Sequence, residues 1–573
     1  MKGLKWPVLL VAASLTAFSC SSEKEKSEIA PEEQNIIIRA VKYVNDDQVS
    51  TINSDGSSES SDKLTASTRN AYSTVNTSFG STEGNKLDIR NGAEFDYTVD
   101  FEASRSGLKA SINASGSLKA ADVAMDSNKK FRLVFMQEGN STPIYNAELN
   151  SGQNPNLKVA ANKKYNWYAF SINGSGSVPN IDGSGNIAAS ALSNKDFMFA
   201  SGSFTAQKNE NYLDILFIRQ MAAIDLTLNT RGIFGGITDN STFSIGTGTS
   251  SSFNNLIKTG IFNIFNASFS NLEDAAALKG SEMTPVDSRW GNAEKKGRFY
   301  TANTSATVSA NNLRVRLNSL NITLDDNNTR TFAANTVVPI SHSSTLSFTK
   351  GTLSKTNVRL IESGVTVGGL VWARTNLIYE SSKLYGSSYN QGSSDAYRFR
   401  PNNNYAYPNV NKEYWNFGAS TPTGTDYQKV DECRRVYPEG TWRLPNEQDN
   451  GEMTALSQNT NRSTSVTSVA DGYRHSMIWK GTQAVNSAYP DNDLILSAYG
   501  FRNSNGSVQS IPSASSTGNG LLIYRSNQYF QSNSTTSILY CTDSSGSFGS
   551  TSIQRRAYSE GDPIRCVRNV VNN

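Results

Sequence analysis

Between Tyr72 and Leu360 the chain is written in short runs that alternate apolar and polar residues, separated by Ser, Gly and Asn, and this period of two constrains the fold most. Phe131, Leu133 and Phe135 face one way while Arg132 and Val134 face the other. Tyr168, Phe170 and Ile172 form a second face ahead of the turn-rich NGSGSVPNIDGSGN. Ile224, Leu226 and Leu228 alternate with Asp225, Thr227 and Asn229, and Leu313, Val315 and Leu317 alternate with Arg314, Arg316 and Asn318. Sheets with one side in water read this way, so the pattern predicts β-sandwiches with the arginines on a solvated face. Ser250 to Leu272 fits either a strand pair or a short amphipathic segment, and its periodicity does not decide between them.

At 573 residues the chain exceeds what one core holds. Only 18% of its residues are charged, and its polarity comes from Ser, Thr, Asn and Gly. The net charge of +3, from 53 basic and 50 acidic residues, gives no global field to attract nucleic acid or a membrane surface. Two His and four Cys argue against a zinc site, a Ser-His-Asp triad or a Cys-His dyad, since His342 and His475 stand in no HExxH spacing and beside no Cys. A non-enzymatic protein without a resident cofactor is the expectation.

The N-terminus carries Lys2 and Lys5 ahead of an apolar stretch, Val8 to Phe18, too short for a permanent membrane span, and it reads as a signal peptide. Ser21 to Gln34 is charged and aromatic-free, as a tether would be. Asn35 to Val44, NIIIRAVKYV, is long enough for one strand. Asn45 to Ser67 is a polar stretch without a core pattern, and it ends at Thr68-Arg69-Asn70. A strand, a long polar loop and an Arg make a site that trypsin-like proteases cut.

LTAFSC at Leu15 to Cys20 is similar to the lipobox of a bacterial lipoprotein, which implies lipidation of Cys20, with Ala17 where Leu is usual. The segment around Arg69 resembles the fimbrillins of Bacteroidales, lipoprotein pilins whose first strand is removed by an arginine-specific protease to open a groove for a strand of the next subunit. YNWYAFS and FIRQMAAIDLTL are similar to segments of fimbrillin-like N-terminal domains. The resemblance implies cleavage between Arg69 and Asn70, which releases the strand whole; a cut between Arg39 and Ala40 would split it. The alternative is that Ile36 to Val44 stays as a permanent first strand.

At Gly364 the composition shifts toward Tyr, Trp, Asn and Arg, placing a boundary near Ser363. Asp431 to Pro445, DECRRVYPEGTWRLP, crowds a Cys, two Pro, a Gly and a Trp into a rigid knot. Asn446 reads as the N-cap of a helix with acids in its first turn and Met453 and Leu456 on its packing face. An oxidising compartment favours one disulfide among Cys433, Cys541 and Cys566. Tyr397 to Trp415 has the Tyr, Trp, Arg and Asn content of an adaptable binding loop, with Tyr397, Arg398, Tyr405, Tyr407, Tyr414 and Trp415 as candidate contacts; covering the core is the equal alternative. Tyr489 to Asp493, YPDND, is the one stretch rich enough in oxygen ligands to suggest Ca²⁺, though a plain turn explains it better.

Val371-Trp372-Ala373, the PEGTWRLP block, LILSAYGFRN and DPIRCVRNV, in that order, resemble the FISUMP-type domain, a C-type-lectin-like module of Bacteroidetes and Fibrobacter surface proteins; Ser497 stands where that module often has Pro. The resemblance implies a bond between Cys433 and Cys566, tying the element before the first helix to the last strand and leaving Cys541 free or paired between chains. Formylglycine-generating enzymes share this core but need a pair of placed thiols, which that bond would not leave.

Together these readings predict a mainly β chain: a signal peptide (1–20), a tether and removable strand (21–69), two tandem β-sandwich pilin-type domains (70–230 and 231–363) and an α+β lectin-like domain (364–573). The implied function is an adhesive subunit at a fimbrium tip, since a C-terminal strand locked in a closed domain accepts a strand without passing one on. The implied partners are fimbrial subunits, a surface receptor or glycan, and the outer membrane through the lipid. The alternative is a permanently anchored outer-membrane lipoprotein that binds glycan or protein outside any fibre.

Overall fold

The period-two runs become strands almost throughout the computed structural model, which describes residues 33–44, 88–92, 94–103, 122–383, 395–402, 405–425, 431–447, 451–482, 492–512, 516–530 and 534–569. Up to Gly232 the strands are β1 (Glu33–Val44), β2 (Asp96–Glu102), β3 (Asp122–Ala124), β4 (Lys130–Gln137), β5 (Tyr145–Asn150), β6 (Lys158–Ala160), β7 (Lys164–Ser171), β8 (Asn186–Ile187), β9 (Met198–Thr205), β10 (Asn211–Arg219) and β11 (Ala222–Gly232). The fold is mainly β, as the alternation predicts. No helix among the described residues is long and apolar enough to cross a membrane.

The first sheet runs β3-β1-β10-β9-β7-β4-β5, with β6 beside β1. One face buries Phe131, Leu133, Phe135, Tyr165, Trp167 and Phe217. Its other face is also dry in part: Val134, Met136 and Phe170 lie under a hairpin, Lys258–Asn263 and Ser268–Asp274. The ambiguous Ser250 to Leu272 stretch is therefore a strand pair, and its Phe262 packs edge-on against Phe197 and Phe199 at centroid distances of 4.7 and 5.2 Å.

The second unit packs two sheets on one core. In the first, β11 lies between Glu294–Thr301 and Leu353–Ile361, and β2 closes the edge beside Leu353–Ile361. In the second, Leu313–Ser319 pairs with Thr242–Thr247 and Thr336–Ile340. Ile224, Leu226 and Leu228 meet Phe243, Val315 and Val338 between them. These pairings revise the boundaries read from the sequence. The run read as LDILFIRQMAAIDLTLN divides at Gln220, with β10 in the sheet of the first unit and β11 in the second unit, to which β2 also belongs. Alternation gives a strand its wet and dry faces but not its neighbours, so the sequence placed both strands with the first unit.

From Gly364 a third unit begins, with small sheets around two clusters. One contains Trp372, Trp479 and Tyr524, the other Trp415, Trp442 and the Cys433–Cys566 pair. Its helices are short, Val410–Glu413 and Glu452–Gln458. The second starts later than Asn446: Gly451 is its N-cap, and Met453 and Leu456 are buried. Glu447 instead reaches in from outside the helix, its carboxylate accepting from the Thr454 amide at 2.9 Å.

Candidate functional site

β1 lies inside the first sheet, with strand partners on both of its edges. It runs parallel to β10 from Ile36 opposite Asn211 to Tyr43 opposite Phe217, and antiparallel to β3 and β6 on its other side. A bulge between Ile38 and Ala40 shifts the register by one residue. Before it Ile36 and Ile38 face the core, and after it Val41 and Tyr43 do. Were Arg39 paired in a regular ladder and not bulged out, Val41 and Tyr43 would face outward. Arg39, at the bulge, projects out to bond the Asp214 carboxylate and lies 5.9 Å from the centre of the Tyr212 ring.

Two further contacts hold the strand's ends. The Ile36 amide donates to the Leu157 carbonyl at 3.2 Å, and Arg219 donates to the Val44 carbonyl at 3.3 Å from beneath a buried ion pair with Asp196. Without β1, β10 would become an edge with a row of unpaired amides and carbonyls, and β3 and β6 would have no strand partner. The four inward side chains stabilise the assembly by about 1.5–3 kcal/mol each where fully buried, and less for the half-buried Ile38 and Tyr43.

The candidate processing residues divide. Arg39 and Ala40 sit in the middle of β1, Arg39 at the bulge and Ala40 paired with Asp214 of β10, whereas Cys20, Arg69 and Asn70 lie outside the described residues. So do Tyr489 to Asp491 of the oxygen-rich stretch; Asp493 is described and pairs with Lys480 at 2.7 Å. No group of three or more His, Cys, Asp or Glu placed to hold a metal occurs among the described residues.

The proposed ligand loop is corrected by burial. Tyr397, Arg398, Tyr414 and Trp415 are all at most 5% exposed, and Tyr405 and Tyr407 are half-buried. Tyr397 stacks on Trp415 at 5.9 Å, the Tyr414 hydroxyl donates to the Tyr499 carbonyl at 2.6 Å, and Arg398 donates to the Phe234 carbonyl at 2.9 Å. The physical reason lies in the irregular backbone of this unit, whose carbonyls need donors that long strands would otherwise supply. Arg565 donates to the carbonyls of Ala373, Arg374 and Ile495, and Arg502 to that of Pro422. A composition rich in Arg, Tyr and Asn here marks a polar-braced core.

Cys433 and Cys566 are joined, with Cα atoms 5.7 Å apart and a sequence separation of 133. Cys541 is a buried free thiol whose pKa burial pushes up to about 11, and its sulfur lies 3.1 Å from the Gly549 carbonyl, inside the fold. Both histidines are packed: His475 Nδ1 lies 2.8 Å from Asp543 Oδ2, and the Leu313 amide donates to His342 Nε2 at 3.3 Å.

What sequence reasoning missed is the bracing between units. Arg568, the residue after Val567 in the last strand, bonds Asp96 of β2 and the Glu362 carbonyl while lying 4.0 Å from the centre of the Trp442 ring. Arg231, at the end of β11, donates to Asp395 at 2.8 Å and is enclosed between the rings of Trp290 and Tyr437, at 3.4 and 3.8 Å. No signal at either arginine distinguishes it from the exposed arginines of the other strands.

No protein-family model matches the chain, and no curated protein matches it. Among solved structures, a candidate cell adhesion protein of Bacteroides fragilis is similar over 46% of this chain and 93% of its own, at 12% identity and a TM-score of 0.27. A fimbrial assembly protein of Parabacteroides distasonis is similar over 40% and 82%, at 10% identity and a TM-score of 0.20. A candidate polysaccharide-binding protein of Bacteroides thetaiotaomicron is similar over 38% and 75%, at 11% identity and a TM-score of 0.22. TM-scores at this level do not establish a shared fold.

Proposed function

We propose that this chain is an adhesive subunit of a surface fibre, assembled by exchange of its first strand and seated at the fibre tip. The observation that carries the reading is the placement of β1. It is a complete strand inside a core, flanked on both sides, and its chain continues into residues 45–87, where Arg69 offers a cut that leaves β1 intact. Release of β1 would leave a groove with unpaired edges and the pockets of Ile36 and Val41, which a strand from another subunit can fill.

The other end of the fold supports the tip position. Val567 and Arg568 pair with Trp372 on one side and with Trp442 and Arg443 on the other, beside a disulfide. A strand so enclosed is not available to a neighbour. The C-terminal unit is then the exposed, lectin-like end, and lipidation at Cys20 would hold the precursor at the outer membrane before cleavage.

Mass spectrometry of fibres sheared from producing cells tests this. The reading expects a chain that starts at Asn70 among co-purifying fibre subunits. A chain that still starts at Cys20 and is absent from the fibres overturns it in favour of a permanently anchored lipoprotein.

A further inference from the structure

Where the second unit meets the C-terminal unit lies a cleft of about 570 Å³, within the size range of small-molecule sites. The second unit supplies the Ser288–Ala293 loop and the turn at 323–327; the C-terminal unit supplies Lys383, Asp395 and Arg398.

The charges in these walls are already matched to one another. Arg398 Nε lies 2.6 Å and Lys383 Nζ 3.8 Å from Asp325, Arg231 bonds Asp395 and lies 4.0 Å from Glu294, Arg289 pairs with Asp287 at 2.6 Å, and Glu380 pairs with Lys412 at 2.5 Å. A wall neutralised in this way has little field with which to select an ion. The polar groups of the lining that carry no ion pair are neutral. The amides of Asn292 and Asn327 and the hydroxyls of Ser288 and Thr323 line the cleft, and none of them makes a side-chain hydrogen bond among the described residues.

One aromatic ring completes the set. Trp290 lines the cleft, partly exposed, and is held in place by the buried Arg231 guanidinium 3.4 Å from its ring centre. A fixed aromatic surface beside neutral amides and hydroxyls matches a molecule with an apolar C–H face and a rim of hydroxyls. Two of these ion pairs, Arg231 with Asp395 and Arg398 with Asp325, also join the two units, so little ordering opposes binding.

We propose that this cleft binds a neutral saccharide, through Asn292, Asn327 and Trp290. The proposal rests on the adhesive part of the reading above and is independent of strand exchange. The test uses the full chain with its first strand in place, applied to an array of neutral, sialylated and sulfated glycans, followed by calorimetric titration with each glycan retained. Neutral hexose or N-acetylhexosamine glycans are expected to bind, and anionic ones no better. Asn292→Ala and Asn327→Gly, the latter at a backbone φ of 63° that suits glycine, are each expected to weaken binding about tenfold with the melting temperature unchanged. Should either variant lower the melting temperature, Thr323→Ala, at an exposed position of the strand Asn321–Leu324, serves as the second probe and is expected to weaken binding too. The proposal is overturned if no glycan is retained, if anionic glycans are preferred, or if binding is indifferent to these substitutions. A normal fibre with Asn70 at its start alongside any of those results would sink the saccharide site alone.

Discussion

Glu432 stands beside Cys433 in the knot at Asp431 to Pro445, 1% exposed and with neither carboxylate oxygen hydrogen-bonded among the described residues. Burial pushes its pKa up from 4.5 to about 8, against the opposing pull of the Arg525 guanidinium. The folded chain therefore holds this proton more tightly than the unfolded chain does. The stability it contributes is full below about 4.5 and is lost as pH rises through about 8. Glu432→Gln should remove that dependence: melting curves between pH 5 and about 8.5 should fall less steeply than for the parent chain, with the variant more stable at the alkaline end by on the order of a few kcal/mol. An unchanged slope would refute the assignment. The neighbouring disulfide gives a second test. Cys433→Ser should cost about 4–5 kcal/mol, as expected for a closed loop of 133 residues, and should abolish sensitivity of the melting temperature to reductant, which Cys541→Ala should leave intact. Burial explains why Glu432 could not be picked out beforehand, since a Glu between an Asp and a Cys reads as surface until the fold encloses it.

At the scale of the element, β1 combines a legible strand with an illegible kink. NIIIRAVKYV announces a strand by its β-branched residues, but its four inward residues, Ile36, Ile38, Val41 and Tyr43, obey no single period, because the bulge at Arg39 reverses the phase. The bulge is a property of the pairing with β10, and a run read alone does not carry it. If the groove is built for exchange, a chain cut at a protease site placed at Arg69 and stripped of its first strand should bind a synthetic 33–44 peptide. The Ile36→Asp peptide should bind at least about tenfold more weakly, since a carboxylate cannot enter the pocket beside Leu157 and Val159 without losing its water. Fluorescence polarisation with a labelled peptide reads both, and equal binding of the two peptides would rule out insertion. In the intact chain, Ile36→Ala should lower stability by about 2–5 kcal/mol in denaturant titrations.

Across the whole molecule, the second and C-terminal units are joined by charges out of water. Arg568 and Asp96 lie 472 residues apart in sequence, and the guanidinium also satisfies the Glu362 carbonyl. Removing one partner of such a pair leaves the other buried and unmatched, at a cost of about 3–5 kcal/mol. Arg568→Ala is accordingly expected to lower the melting temperature and to divide a shared calorimetric transition of the two units into separate ones. A single transition at the parent temperature would show that the pair does not couple them.

What the sequence determined by itself is local: alternation specified strands and their wet and dry faces, and Asp431 to Pro445 stood out as a constrained corner through its Pro, Gly and Trp. Tertiary structure decided everything that depends on who lies beside whom. It assigned β2 and β11 to the second unit, buried Tyr397, Arg398, Tyr414 and Trp415, and turned Arg231 and Arg568 from surface-like residues into braces. The physical reason is that periodicity reports the solvent exposure of one strand, whereas a partner strand, an enclosing loop and a matched charge are set by contacts hundreds of residues away.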